Sequence, residues 1–191
     1  MELVKRRPIV LPVFKGGQGW YDDFAVTGAN DSGYIVSATV KTKTTYGIII
    51  GTPVSGGCDI EVPQKYCNSN VIIETVCRIV AGALITPINF RKTDWNNRWR
   101  VEITSTNVLQ LQKSVAGVNT QEGVVNISSS AAWNRVLVEA IGARINVYHN
   151  GTLKISVVDT DLITNSRIHF SMYDGSIPCR GEYQYYAVKP L

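Results

Sequence analysis

The segment Thr93-Asp-Trp-Asn-Asn97 carries the residue types that hold a sugar. An exposed indole stacks on the apolar face of a sugar ring, and neighbouring carboxylate and amide groups orient its hydroxyls. Trp95 would supply the ring, and Asp94 and Asn97 the polar groups. Tyr173-Asp174, at the end of a predicted strand, repeats the pairing in a second loop. The competing reading makes Trp95 an anchor of its own loop. Either role depends on strands that bring these loops to the ends of a sheet.

Other chemistry is thin. The chain has two histidines, His149 in a turn and His169 between Ile168 and Phe170, too sparse for a zinc site. Both read as hydrogen-bonded structural residues. Ser128-Ser-Ser130 lacks the Gly-x-Ser-x-Gly setting of a nucleophile. Asp59-Ile-Glu61, beside a Gly-Gly turn, and Asp159-Thr-Asp161, at a strand end, read as solvated charge. Cys58, Cys67, Cys77 and Cys179 have no Cys-x-x-Cys spacing. They allow three disulfide pairings, Cys58 to Cys67 among them, or stay as buried free thiols. No catalytic residue, metal or cofactor is expected.

The elements that must position the candidate loops are strands. Charged residues make up 18% of the 191 residues, Val, Ile, Thr, Tyr and Ser abound, and long 3.6-period apolar patterns are absent. This composition predicts an all-β protein, and the number and spacing of its strands fit a two-sheet antiparallel β-sandwich. Strands are predicted over 22–27, 34–41, 46–50, 58–62, 71–80, 83–89, 98–104, 107–113, 123–127, 134–141, 144–149, 152–158, 167–173 and 182–188. A short helical turn capped by Asp161 is predicted within 159–165. Trp99, Val101 and Ile103 share one strand face, so Trp99 is assigned to the core with Arg100 and Glu102 outside. Trp133, opening a strand, is assigned to the core as well.

The Asn150-Gly151 turn joins two of these strands. A two-residue loop would set Val147 opposite Lys154 and bring opposite faces together. A three-residue loop, His149-Asn150-Gly151, sets Val147 opposite Leu153 and Ile145 opposite Ile155. The sequence therefore predicts the longer loop, with Leu153, Ile155 and Val157 inward.

Residues 1–13 read as an extended arm and 14–191 as one sandwich domain. Pro8 and Pro12 prevent helix, and Lys5, Arg6 and Arg7 precede the apolar positions Ile9, Leu11 and Phe14. Such an arm suits docking onto another chain. The net charge of +4 is mild and the basic cluster local, which argues against nucleic-acid binding. No apolar run is long enough for membrane insertion, and no secretory signal is visible.

Residues ~71–188 resemble the concanavalin A-like lectin/glucanase superfamily, in its laminin-G-like and glycan-binding branches. The resemblance is carried by Ala81-Gly-Ala-Leu-Ile-Thr86, by Asp94-Trp-Asn-Asn-Arg-Trp-Arg-Val-Glu-Ile103, by Val108-Leu-Gln-Leu-Gln-Lys113, and by the run from Trp133 through Asn150-Gly151 to Phe170. It implies the jelly roll and a glycan ligand. Glucanases of this superfamily set alternating acids on one strand, flanking the scissile bond, and this chain has no such run. The final strand reads Gln184-Tyr185 where the superfamily often has an acidic-Asn pair, which weakens any calcium inference.

The function expected is that of a non-catalytic structural and recognition protein on a virus particle, as a capsid decoration or tail component of a bacteriophage. It would be assembled in the host cytoplasm, since the chain starts at Met1 without an export signal. Its partners would be other virion subunits or a second copy, with cell-surface or environmental glycans as ligands. Two alternatives stand beside it: a carbohydrate-binding module of a secreted, extracellular bacterial protein, and a glycoside-active enzyme.

Overall fold

Alternating apolar and polar residues build fifteen strands among the residues that the computed structural model describes, which are 20–22, 35–36, 40–43, 49–52, 58–82, 84–172 and 180–191. In chain order they are β1 (Trp20–Asp22), β2 (Ile35–Val36), β3 (Val40–Lys43), β4 (Ile49–Thr52), β5 (Cys58–Glu61), β6 (Val71–Ala81), β7 (Leu84–Asp94), β8 (Asn97–Thr104), β9 (Val108–Val115), β10 (Val118–Asn126), β11 (Asn134–Ile141), β12 (Arg144–His149), β13 (Thr152–Val158), β14 (Arg167–Met172) and β15 (Arg180–Pro190). A 3-10 turn, Gln64–Tyr66, follows β5.

The first sheet runs β13-β12-β11-β6-β15-β4-β3, with β1 also paired to β15. The second runs β10-β9-β8-β7-β14-β5-β2. All the strand pairs are antiparallel. The sheets stack in step, β10 against β13 and β6 against β7. Between them lies one core, with Ile73 and Cys77 of β6, Val136 and Val138 of β11, and Tyr183 and Tyr186 of β15. The second sheet contributes Ile88 and Phe90 of β7, Trp99 and Val101 of β8, and Phe170 of β14. The Tyr183 and Tyr186 hydroxyls bridge the sheets, donating to the carbonyls of Ser171 (3.0 Å) and His169 (3.4 Å). The predicted all-β sandwich is the fold observed.

The hairpin differs from expectation in an instructive way. His149 pairs with Thr152 and Tyr148 with Leu153, so the loop is the two-residue Asn150-Gly151, at φ 51° and 83°. This is the turn that Asn-Gly favours, with positive φ at both positions. The face conflict is resolved by a bulge: Val147 pairs with Ile155, and the strand absorbs one extra residue at Leu153-Lys154. Ile155 is buried, while Leu153 is exposed rather than inward. A Cβ added at Gly151 meets nothing within 4 Å, so only the backbone penalty acts there. Gly151→Val should cost about 1–3 kcal/mol in urea unfolding.

His149 turns inward and is buried, its Nε2 2.8 Å from Asn134 Oδ1. Burial, aided by the charge of Lys154, lowers the imidazole's proton affinity below the ordinary value. The unfolded chain then takes up a proton that the folded chain resists. This contribution is fully present above the unfolded value of about pH 6.5 and is lost as pH falls below it. His149→Gln should flatten the decline in Tm between about pH 7.5 and 5.5 relative to the parent.

Two other expectations are corrected. Trp133 is only half-buried and lies beneath Arg78, whose guanidinium sits 4.5 Å from the ring centroid. Residues 161–164 form turns rather than a helix, and Asp159, not Asp161, caps them by accepting from the Asp161 amide at 2.6 Å. The Asp161 carboxylate instead pairs with Lys113 at 2.9 Å. Cys67 and Cys77 are free thiols, and burial pushes Cys67 up to about 11. The arm at 1–13, Phe14, Tyr173, Asp174 and Cys179 lie outside the described residues.

Candidate functional site

The outer face of the second sheet departs from the usual solvated surface. Strand alternation turns Trp99, Val101 and Ile103 of β8 into the core and Arg98, Arg100 and Glu102 outward. On β9 the outward set is Gln110, Gln112 and Ser114; on β14 it is His169 and Ser171. Register then aligns them across the strands: Gln112 opposite Arg100, Arg100 opposite Asn89, Asn89 opposite His169, and His169 opposite Glu61. A continuous polar row therefore crosses β9, β8, β7, β14 and β5.

Arg100 organises one half of this face. Its Nε donates to Glu102 Oε1 at 2.6 Å and its Nη1 to Ser114 Oγ at 2.9 Å and Asn119 Oδ1 at 3.3 Å, while Nη2 donates to Gln112 Oε1. Gln110 Nε2 holds the other Glu102 oxygen at 2.6 Å. Asn89 Nδ2 donates to Ser171 Oγ at 3.0 Å. Arg100, Glu102, Ser114, Asn89, Ser171 and His169 are all buried, although they face away from the core. Gln110 and Gln112 are half-buried and Asn119 is exposed, so the edge of this braced network borders solvent.

A bulge in β7 supplies the other half. Asn89 pairs with His169 and Lys92 with Arg167, three steps on β7 against two on β14. The irregularity centres on Arg91, at φ 46°. Ile88 and Phe90 face the core, so strict alternation would carry Lys92 inward; the extra residue turns it outward instead. Arg91 itself enters the end of the sandwich, fully buried, donating to the carbonyls of Ser69 (3.0 Å) and Gly142 (2.5 Å). Its burial lowers the guanidinium's proton affinity, opposed by the charge of Asp159. Lys92 Nζ lies 3.3 Å from His169 Nδ1 and 3.5 Å from the Trp95 ring centroid.

Trp95 and Asn96 form the turn between β7 and β8, closed by the Asp94–Asn97 pair. The indole folds back over the outer face, with the Arg98 guanidinium 4.4 Å from its centroid and the His169 ring edge-on at 6.3 Å. It stays 51% exposed. Asp94 Oδ1 accepts from the Asn96 amide (2.7 Å) and Asn97 Nδ2 (3.1 Å), and these bonds hold the Asp94 carboxyl below its ordinary value. Asn97 Oδ1 accepts from the Ala116 amide at 3.0 Å. Asp94 and Asn97 thus brace the hairpin that presents Trp95. The structure brings these three together and adds Asn89, Lys92, Arg98, Arg100, Gln112 and His169. The alternating polar positions of β8 and β9 were a sequence signal for part of that set.

Besides Asp94, which braces the turn, two carboxylates on this face have described side chains. Glu102 is held by Arg100 and Gln110, and Glu61 lies 3.2 Å from Arg167 Nε and 3.6 Å from His169 Nε2. With β7 and β14 between their strands, their backbones are separated laterally by three strand spacings, about 14 Å, and Glu102 lies two residues along from the row that holds Glu61. Glycosidase pairs stand roughly 5–9.5 Å apart. The chemistry this face supports directly is multidentate hydrogen bonding beside an aromatic ring.

No protein-family model matches the sequence, and no curated protein matches it. Solved structures do. A Bacillus licheniformis β-glucanase superposes with a TM-score of 0.71 at 14% identity, over 93% of this chain and 100% of that one. The carbohydrate-binding module CBM66 from Bacillus subtilis gives 0.64 at 17% identity, over 80% and 92%. A Crh5 transglycosylase gives 0.69 at 12%, over 91% and 85%. The expectation of a chain without enzymatic activity is overturned by these neighbours: glucanases and a transglycosylase share the fold, so catalysis is compatible with it. Identities this low carry the fold and not an activity. The described residues adopt a two-sheet antiparallel jelly-roll fold, which these glucanases and this carbohydrate-binding module share.

Proposed function

We propose that the outer face of the second sheet binds a glycan. The observation that carries this reading is the polar row Gln112-Arg100-Asn89-His169-Glu61, running across five strands beneath a half-exposed Trp95. A face that met only water would leave such side chains extended and mobile. Here the inner members are buried and cross-bonded, so the outer donors and acceptors are fixed before any ligand arrives. Strand spacing of about 4.8 Å sets successive polar groups roughly one hexose ring apart. An extended oligosaccharide lying across the strands fits that ladder, with one ring against the indole.

The setting proposed is either a virus particle, with the arm at residues 1–13 contacting other virion subunits or a second copy, or a carbohydrate-binding module of a larger protein. The coverage of CBM66 supports the module reading.

Calorimetric titration with a panel of oligosaccharides tests the site. Gln112→Ala and Trp95→Ala should each weaken binding about tenfold, the yield of one hydrogen bond or one stacked ring. Both substitutions should also lower Tm modestly, Gln112→Ala because Arg100 Nη2 loses its acceptor and Trp95→Ala through the lost contacts to Lys92 and Arg98. Binding that survives both substitutions, or no binding by the parent, would overturn the proposal. Release of reducing ends during the titration would show that the same face also turns its glycan over.

A further inference from the structure

Two charged groups orient the amides of β9 and β10. An amide side chain has an acceptor at one end and donors at the other, and its partners decide which end points where. Arg100 carries donors alone, so the amides it engages must turn their oxygens to it. Gln112 Oε1 meets Nη2, and Asn119 Oδ1 meets Nη1 at 3.3 Å with the Ser114 hydroxyl as a second donor. The Glu102 carboxylate accepts, so Gln110 turns its Nε2 to it, at 2.6 Å. Arg100 and Glu102 are themselves buried and paired at 2.6 Å, which fixes both ends of the arrangement. Left unengaged among the described residues are Nε2 of Gln112, Nδ2 of Asn119 and Oε1 of Gln110. Asn119 is exposed, and neither free atom of the two glutamines is sealed from solvent. Gln121, opposite Gln112 on β10, is exposed too, but no charged partner sets its amide.

We propose that the buried Arg100–Glu102 pair sets the specificity of the glycan site: it presents donors at Gln112 and Asn119 and an acceptor at Gln110, and so selects a hydroxyl-bearing, unsubstituted stretch of glycan. This rests on the glycan-binding reading above and narrows its ligand class. Arg100 and Glu102 are positioning residues, acting through the amides they hold. The donor at Gln112 and the acceptor at Gln110 stand two residues apart on β9, about 7 Å. A chain crossing the strands therefore offers lone pairs along one edge of its rings and a free hydroxyl along the other. An acceptor-only group, such as an ether, an ester or a sulfate, satisfies the Gln112 end and leaves Gln110 Oε1 without a donor. A site built to receive a hydroxyl rejects the analogue that lacks it.

The test is calorimetry with two uncharged probes, a β-glucan oligomer and a galactan oligomer of equal length. Gln112→Glu and Asn119→Asp keep the oxygen that Arg100 needs and delete the outward N–H donors. Affinity for the better-bound oligomer should fall about tenfold and about threefold, while Tm holds or rises because the bonds to Arg100 become charge-assisted. A structural role for these amides would leave affinity unmoved. Gln121→Glu adds the same charge one strand away and should change affinity by less than about twofold. Among mono-deoxyfluoro forms of the oligomer, which lose one hydroxyl donor each, at least one should bind about tenfold more weakly to the parent, and that loss should vanish in Gln110→Ala. Parent-like affinity in both Gln112→Glu and Asn119→Asp would overturn the assignment while the platform stands. So would a Gln121→Glu loss equal to that of Gln112→Glu, or the absence of any deoxyfluoro loss coupled to Gln110. Binding of neither oligomer would overturn it as well, and the platform falls with it only if the wider oligosaccharide panel is also unbound.

Discussion

Arg91→Ala should lower the free energy of unfolding by about 3–5 kcal/mol. Arg91 is fully buried at the end of the sandwich, and its guanidinium is the donor to the carbonyls of Ser69 and Gly142. Removing it leaves both acceptors with one partner fewer and opens a cavity the size of a long side chain. The left-handed backbone at φ 46° persists because the guanidinium is held at its far end. Without that tether the bulge is free to relax, and with it the outward placement of Lys92. Urea unfolding should therefore report a large loss of stability, and glycan affinity should fall although Arg91 does not reach the outer face. A loss below about 1 kcal/mol would mean that Arg91 fills space without holding the bulge.

Glu74→Ala should cost about 3 kcal/mol. The Glu74 carboxylate is buried on the outer face of the first sheet, where it accepts from Arg135 Nε (3.0 Å) and Nη2 (2.8 Å) and from the Tyr185 hydroxyl. The substitution deprives a buried phenol of this acceptor and a guanidinium of its paired charge. Arg135→Ala should cost less, because Tyr185 still donates to the carboxylate that remains. The double variant should fall short of the sum of the two single losses, since both remove the same interaction. Full additivity in urea unfolding would show that the pair contributes nothing as a unit. Neither change should move glycan affinity, because both residues lie on the sheet opposite the proposed site.

Much of the fold was legible in the sequence because strand alternation is a local property. The core positions Trp99, Val101 and Ile103 followed from period-two patterning alone. The Asn-Gly turn was legible too, but its loop length was not. Two rules conflicted there, turn preference and face matching, and a bulge at Leu153-Lys154 satisfied both. Bulges are weakly encoded, since no residue type is required at them. The same blindness hid the site. Trp95, Asp94 and Asn97 stood out because an aromatic ring among polar loop residues is conspicuous. Arg100 reads as an outward strand position and His169 as a structural histidine, and nothing local marks Gln112 or Asn89, because what joins the four is register between strands far apart in sequence. Lys92 was hidden twice, by register and by the bulge at Arg91 that reverses its face.

The central claim, that the outer face of the second sheet is where a glycan binds, is tested most directly by backbone-amide and indole chemical shifts during titration of the isotope-labelled protein with an oligogalacturonate and a β-glucan oligomer. The account predicts shifts at Asn89, Lys92, Arg98, Arg100, Gln110, Gln112 and His169 and at the Trp95 indole, with Leu137, Tyr148 and Arg135 on the opposite sheet unmoved. Shifts confined to that opposite face, or no shifts with either oligomer, would contradict it.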